Sequence, residues 1–194
     1  DVDRDGLGDV LIGAPGTSSG AIGCGFAELF LGDVSAQIQV GAYWVGEGAG
    51  DALGSELASA GDADGDGYDD VLLAAQGYPG GYGTGAVWLA MGTHSWPGGS
   101  ASLADIDHMF LGAATGDHAG YAMAGGQDFD DDGYEDFAIT APYSASGGSS
   151  AGQVYLWTGG ASWGSGGGAH SLAAAPASFI GEAANDRAGW SAQL

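Results

Sequence analysis

Basic side chains are nearly missing from this sequence: Arg4 and Arg187 stand against 25 aspartates and glutamates, for a formal charge of −23. Such a chain is repelled by nucleic acid and by anionic membrane surfaces, where Lys and Arg carry the binding. Its charge calls for a cationic partner instead. Cysteine is as scarce, since Cys24 is the only one, and this excludes an intrachain disulfide and the small cystine-stapled scaffolds. No apolar run approaches the roughly 18 residues of a membrane helix, so no membrane insertion is expected. A beginning at Asp1 and Asp3 does not resemble a signal peptide, and any targeting segment is expected outside these 194 residues.

Glycine and aromatics are plentiful. The 41 glycines follow no three-residue period, which excludes a collagen-like rod, and six Trp, eight Tyr and six Phe supply large side chains for a core. With 45 % apolar residues the chain is globular, and many tight turns between short apolar stretches read as all-β.

One nine-residue pattern, D-x-D-x-D-G-x-x-D, occurs at 1–9, 62–70 and 128–136, with starts 61 and 66 residues apart. Self-similarity at such a period marks a repeat architecture. The surroundings repeat as well. An apolar stretch follows each loop (10–15, 71–76, 137–142), then a glycine-led alternating stretch (25–32, 85–92, 152–159), then an aromatic-apolar-glycine step (Trp44-Val45-Gly46, Phe110-Leu111-Gly112, Phe179-Ile180-Gly181). Last comes an acidic residue leading into a glycine-containing strand (51–60, 117–126, 186–194). These readings give three units, 1–61, 62–127 and 128–194, of four short strands each within a single segment spanning 1–194.

A four-stranded sheet of this size cannot bury both faces alone and must stack on its copies. Radial stacking predicts β-propeller blades made of four-stranded antiparallel sheets, with a solenoid as the competing arrangement. In Phe26-Ala-Glu-Leu-Phe-Leu31 and Val87-Trp-Leu-Ala90 both faces carry apolar residues, as blades covered on two sides require. The phase is circularly permuted: the first metal loop lacks a preceding strand, and a strand of that kind is expected at 186–194. Three blades are too few for a closed ring, so the remainder must come from a longer chain or from another copy.

The chemistry lies in the loops. Alternating aspartates put carboxylates on one side of a tight turn, and the sixth-position glycine allows the reversal. The ninth-position aspartate closes the cage. Four carboxylates, a backbone carbonyl from position seven and water suit the six-to-eight oxygen coordination of Ca²⁺ better than the octahedron of Mg²⁺. An EF-hand begins alike but needs a Glu at position twelve and flanking helices, and Ile12, Leu73 and Ile139 stand there instead. Solvated Asp/Gly turns are the plainer alternative. Of the 25 acidic residues, 15 fall in the three loops, and three Ca²⁺ would bring −23 to −17.

These residues resemble the FG-GAP repeats of integrin alpha-subunit propellers and their bacterial relatives. Gly13-Ala14-Pro15 reproduces the GAP element, Thr140-Ala141-Pro142 approximates it and Ala74-Ala75-Gln76 departs from it. The aromatic-glycine element appears in altered order as Gly120-Tyr121 and Gly189-Trp190, and weakly as Leu53-Gly54. The resemblance implies three Ca²⁺ sites: Asp1, Asp3, Asp5, Leu7 and Asp9; Asp62, Asp64, Asp66, Tyr68 and Asp70; Asp128, Asp130, Asp132, Tyr134 and Asp136, with Leu7 and the two tyrosines acting through their carbonyls. It also implies a propeller of more than three blades.

The expected function is a calcium-binding scaffold, an adhesion or ligand-binding module of a secreted or cell-surface protein, with a protein or glycan ligand. It is not expected to be an enzyme. Two other readings stay open: an accessory propeller of a secreted carbohydrate-active or hydrolytic enzyme, and a self-assembling unit. His94, His108, His118 and His170 are scattered and read as loop or surface residues, and no G-x-S-x-G elbow exists. Cys24 reads as a small turn or strand residue. Trp88 and Trp157 read as core, while Trp96 and Trp163 in glycine-rich loops are candidate sugar contacts.

Overall fold

A computed structural model describes residues 1–33, 39–164 and 167–193. The loop 1–9 leads into β1 (Val10–Gly13), β2 (Phe26–Leu31) and β3 (Gln39–Val45), an antiparallel meander. A second meander follows: β4 (Leu53–Gly61), β5 (Asp70–Ala75) and β6 (Ala86–Ala90). The chain then doubles back, and β7 (Gly99–Ser100) pairs parallel with β3 of the first sheet before β8 (His108–Leu111) completes the second. The third sheet is β9 (Met123–Gln127), β10 (Asp136–Ala141) and β11 (Gln153–Trp157), closed by β13 (Ala177–Ile180) after β12 (Gly168–Ser171) has returned to pair parallel with β8. The fold is all-β, and the expected blades are present.

The middle sheet explains why these are blades. Every residue of β5 and β6 is buried, and alternation sends their side chains to two different cores. Val71, Leu73, Ala75, Ala86, Trp88 and Ala90 meet Ala27, Leu29 and Trp44 of the first sheet. Leu72, Ala74, Val87 and Leu89 meet Phe137, Ile139 and Tyr155 of the third. The first and third sheets are covered on one side only. Val10 and Ile12 are 52 % and 50 % exposed, and Phe179 and Ile180 are 64 % and 47 % exposed. The three sheets thus form an open arc of propeller blades, as stacking of units that cannot bury themselves requires.

Phe110 on β8 is fully buried between blades, its ring centroid 4.8 Å from Trp157 and 5.4 Å from Phe137. Phe110→Ala is expected to destabilise the protein by about 3–5 kcal/mol, read as a lower urea midpoint at unchanged slope.

Two features depart from expectation. The strand predicted over 186–194 does not form among its described residues, and Leu194 lies outside them. Residues 186–188 make the same turn that opens the other repeats, with a single bridge from Gly152 to Ala188. Beyond it, β4 and β9 owe their extension to the strand that follows their metal loop, β5 and β10. No described residue offers such an edge to 189–193. In the second repeat the strand predicted over 117–126 begins only at Met123: Asp117 accepts the Ala114 N–H (2.9 Å), His118 takes φ +52, and residues 119–122 stay outside the strand. The parallel edges β7 and β12 carry no alternation and were not legible beforehand.

The glycines that lead the second strand of each repeat have a steric reason. Gly25, Gly85 and Gly152 adopt φ of +85, +83 and +84, and a Cβ would lie 2.1–2.3 Å from the backbone N and O of Leu53, Ala119 and Ala188. Only glycine lets this strand touch the main chain at the turn that closes its own repeat and leads toward the next sheet.

Candidate metal centres

The three nine-residue loops share one conformation at one end of the blades, joining each first strand to what precedes it. Position four is left-handed in all three (Arg4, Gly65, Asp131) and so is the sixth-position glycine, at φ +86, +93 and +94. The hydrogen bonds repeat too. Oδ2 of the first aspartate accepts the N–H of the glycine: Gly6 to Asp1, Gly67 to Asp62 and Gly133 to Asp128, each at 2.9 Å. Oδ1 of the fifth-position aspartate accepts the N–H of position seven: Leu7 to Asp5 at 2.8 Å, Tyr68 to Asp66 and Tyr134 to Asp132 both at 3.0 Å. No helix flanks any loop, as the EF-hand alternative would demand.

This folding gathers carboxylates. Ligand atoms of Asp1, Asp3 and Asp5, of Asp62, Asp64 and Asp66, and of Asp128, Asp130 and Asp136 each lie within 4.8 Å of one another. The ninth-position aspartates have a further job. Asp9 accepts the N–H of Val2 (2.8 Å) and of Gly32 (2.9 Å), Asp70 those of Ala63 (3.0 Å) and Gly92 (2.8 Å), and Asp136 those of Phe129 (2.8 Å) and Gly159 (2.7 Å). Each staples its loop to the far end of the second strand. The sequence gives only the ligand-like spacing, and the staple is visible only once the strands are paired.

A divalent cation fits these loops. Asp62 Oδ1 is buried and has no hydrogen-bond partner, whereas the corresponding oxygens of Asp1 and Asp128 accept the N–H of Asp5 and Asp132 at 3.1 Å. A buried carboxylate oxygen left without a donor is costly unless a cation meets it. Titration points the same way. Burial pushes the Asp70 carboxyl up to about 7 against the two N–H bonds that pull it down, and the charges of Asp64 and Asp66 add to the rise. Asp64 and Asp130 are also raised, by lost solvation first and then by neighbouring loop carboxylates. A cation would reverse these shifts.

A second repeated aspartate serves the backbone. Asp51 accepts from Gly48 (2.5 Å) and Gly80 (2.6 Å), and Asp186 accepts from Ala183 (2.7 Å), as Asp117 does from Ala114. These caps explain the acidic residue before the inner strand.

Two readings of the sequence need correction. His108 is not a surface residue: it is 2 % exposed, with Nδ1 3.1 Å from His170 Nε2 and Nε2 2.8 Å from the Trp163 carbonyl. The carbonyl can only accept, so His108 donates to it through Nε2. Burial, with His108 beside it, lowers the His170 pKa. Trp163 packs against Phe110, Trp157 and both histidines, so it serves the core between blades, where β12 is anchored to β8. Trp96 stands edge-on to Trp44 and donates through Nε1 to the Val2 carbonyl (3.3 Å). Cys24 is fully buried.

Comparison with known proteins agrees with this architecture. The FG-GAP repeat model matches residues 53–89 and 119–157, each running from an inner strand through the metal loop to the strand after next. Integrin alpha-PS2 of Drosophila melanogaster is 32 % identical over 153 residues, 73 % of this chain and 11 % of that protein. Integrin alpha pat-2 of Caenorhabditis briggsae is 31 % identical over 158 residues, 73 % of this chain and 12 % of that protein. The chain therefore spans about a tenth of the length of these curated relatives. With three stacked sheets, a recurring carboxylate loop and two matched repeats, the chain contains FG-GAP repeats and is similar to the integrin alpha subunits.

Proposed function

We propose that this chain is a calcium-binding propeller module of an extracellular protein, serving adhesion or ligand binding without catalysis. The observation that carries it is the threefold recurrence of one loop geometry, with a buried and unpartnered Asp62 Oδ1 in the loop enclosed by its neighbours on both sides. The ligands would be the carboxylates at positions one, three, five and nine and the carbonyl of position seven, that is Leu7, Tyr68 and Tyr134. Bound Ca²⁺ would supply positive charge that holds the carboxylates together and ties each loop to its blade. Likeness to integrin alpha subunits supports a cell-surface setting, where calcium is abundant. Among the described residues no helix is long and apolar enough to cross a membrane. The uncovered apolar faces around Val10 and Ile12 and around Phe179 and Ile180 would be completed by further blades, from the same longer chain or from a second copy.

Calorimetric titration of chelator-treated protein is expected to give about three equivalents of bound Ca²⁺, with Mg²⁺ binding far more weakly. Absence of calcium binding at millimolar concentration would overturn the reading.

A further inference from the structure

Position eight of the metal loop is not an expected ligand position, yet in two loops it carries an acid that reaches into the preceding loop. The Glu135 N–H donates to the Asp62 carbonyl (3.2 Å), and Glu135 Oε2 accepts the Asp62 N–H (2.8 Å). One blade earlier, the Asp69 N–H donates to the Asp1 carbonyl (3.2 Å), and Asp69 Oδ2 forms an ion pair with the terminal ammonium of Asp1 (2.7 Å). Both acids thus hold a first-position aspartate from two sides, Glu135 through two hydrogen bonds and Asp69 through a hydrogen bond and an ion pair. Room is made for the contact: a Cβ on Gly61 would fall onto the Glu135 carboxylate. Loop 1–9 has Gly8 at this position and offers no such carboxylate.

We propose that Asp69 and Glu135 are positioning residues that set the calcium affinity of the loop before their own. The inference rests on the calcium reading above. Asp62 is the residue whose Oδ1 lies buried without a partner and whose Oδ2 is taken by the Gly67 N–H. Pinning its peptide from both sides holds that oxygen in place before an ion arrives, so less freedom is lost on binding. Successive blades are thereby coupled: an order that begins in one loop is handed to the previous one through a single side chain. At Glu135 the effect comes from a hydrogen bond to a backbone N–H, so there an uncharged acceptor can replace the carboxylate.

The test follows the Gly67 and Gly133 amides of the whole chain by NMR during Ca²⁺ titration at about 0.15 M salt, where long-range charge effects are screened. Glu135→Ala is expected to weaken the Gly67 transition about tenfold, the loss typical of removing a partner behind a metal ligand, while the Gly133 transition moves less than about twofold. Glu135→Gln is expected to keep the Gly67 transition within about threefold of the parent. An unchanged Gly67 transition in Glu135→Ala overturns the proposal, as does weakening at Gly133 alone, which would mean damage confined to Glu135's own loop, or equal weakening of both amides, which would mean a general disturbance of the fold. Asp69→Ala, read at Gly6, supplies an independent second case should Glu135→Ala fold poorly. Parent protein that shows no calcium-dependent shift at either amide removes the calcium reading and this inference together, whereas normal parent binding with an inert Glu135→Ala removes only the inference.

Discussion

Chelation of divalent ions with EGTA is expected to lower the melting temperature of this protein by at least about 10 °C. An ion that binds only the folded state adds about 2.7 kcal/mol when present at a hundred times its dissociation constant, and for a chain of this length each kcal/mol moves the midpoint by about 2–4 °C. Two or three filled loops therefore give a shift of about 11–32 °C. The electrostatics push further in the same direction, since 15 of 25 acidic residues sit in three short loops and nothing but two arginines and the histidines opposes them. Differential scanning calorimetry with and without excess Ca²⁺ reads the effect. A midpoint indifferent to EGTA would mean that the carboxylate loops stand without ions.

Acidity modulates the chelated state in a definable direction. Asp70 has its pKa raised by burial from 3.8 to about 7, so without metal the folded protein holds this proton more tightly than the unfolded chain does. Its contribution to stability is full below about pH 4 and is lost as the pH rises through about 7. His170 is shifted downward, and its contribution is present above its ordinary 6.5 and lost as the pH falls below that value. The two slopes oppose each other just below pH 6.5. The informative comparison is therefore calcium-loaded protein against protein stripped of metal and freed of chelator, whose difference in midpoint is expected to be larger at pH 7.5 than at pH 5, because Asp70 must ionise without a cation at the higher value.

How much of this was legible in the sequence depends on whether a signal was local. The loop motif, the glycine-led strands and the aromatic step are encoded in consecutive residues, and β1, β2, β5, β6, β10 and β11 fall where the apolar stretches and the glycine-led alternating stretches put them. Spacing alone pointed to three carboxylates in each cluster, while Asp9, Asp70 and Asp132, expected by the same spacing, lie outside the clusters. What required the folded chain was everything joining segments distant in sequence. β7 and β12 are two and four residues long, without alternation, and exist only because the preceding blade offers an outer edge. His108 and His170 stand 62 residues apart, and no local cue marks them as one buried pair. Residues 186–193 show the reverse: their pattern resembles an inner strand, yet a strand needs a partner, and local residues cannot supply one. Glu135 was passed over because position eight is variable in type, carrying Gly8, Asp69 and Glu135 in turn.

Asp136→Ala is expected to destabilise the chelated protein by about 3–5 kcal/mol, a large part of the 5–15 kcal/mol available to a typical domain. Asp136 is fully buried, and its two oxygens accept the N–H groups of Phe129 and Gly159, at the start of the loop and just beyond the paired strand. Truncation leaves both donors without an acceptor, at about 1–3 kcal/mol each. Asp132→Ala in the same loop removes an exposed carboxylate whose single bond is to the Tyr134 N–H, which water can satisfy, and with EGTA present it is expected to cost no more than about 1 kcal/mol. On the calcium reading proposed above both substitutions are expected to weaken ion binding, so only chelated samples, compared by urea denaturation, separate a staple from a ligand. Equal stability of the two variants without calcium would show that the buried aspartate acts through the ion alone. A marked deficit confined to Asp136→Ala would show that the loop is anchored to its blade before any ion is bound, which is the preorganisation that the proposed calcium site calls for.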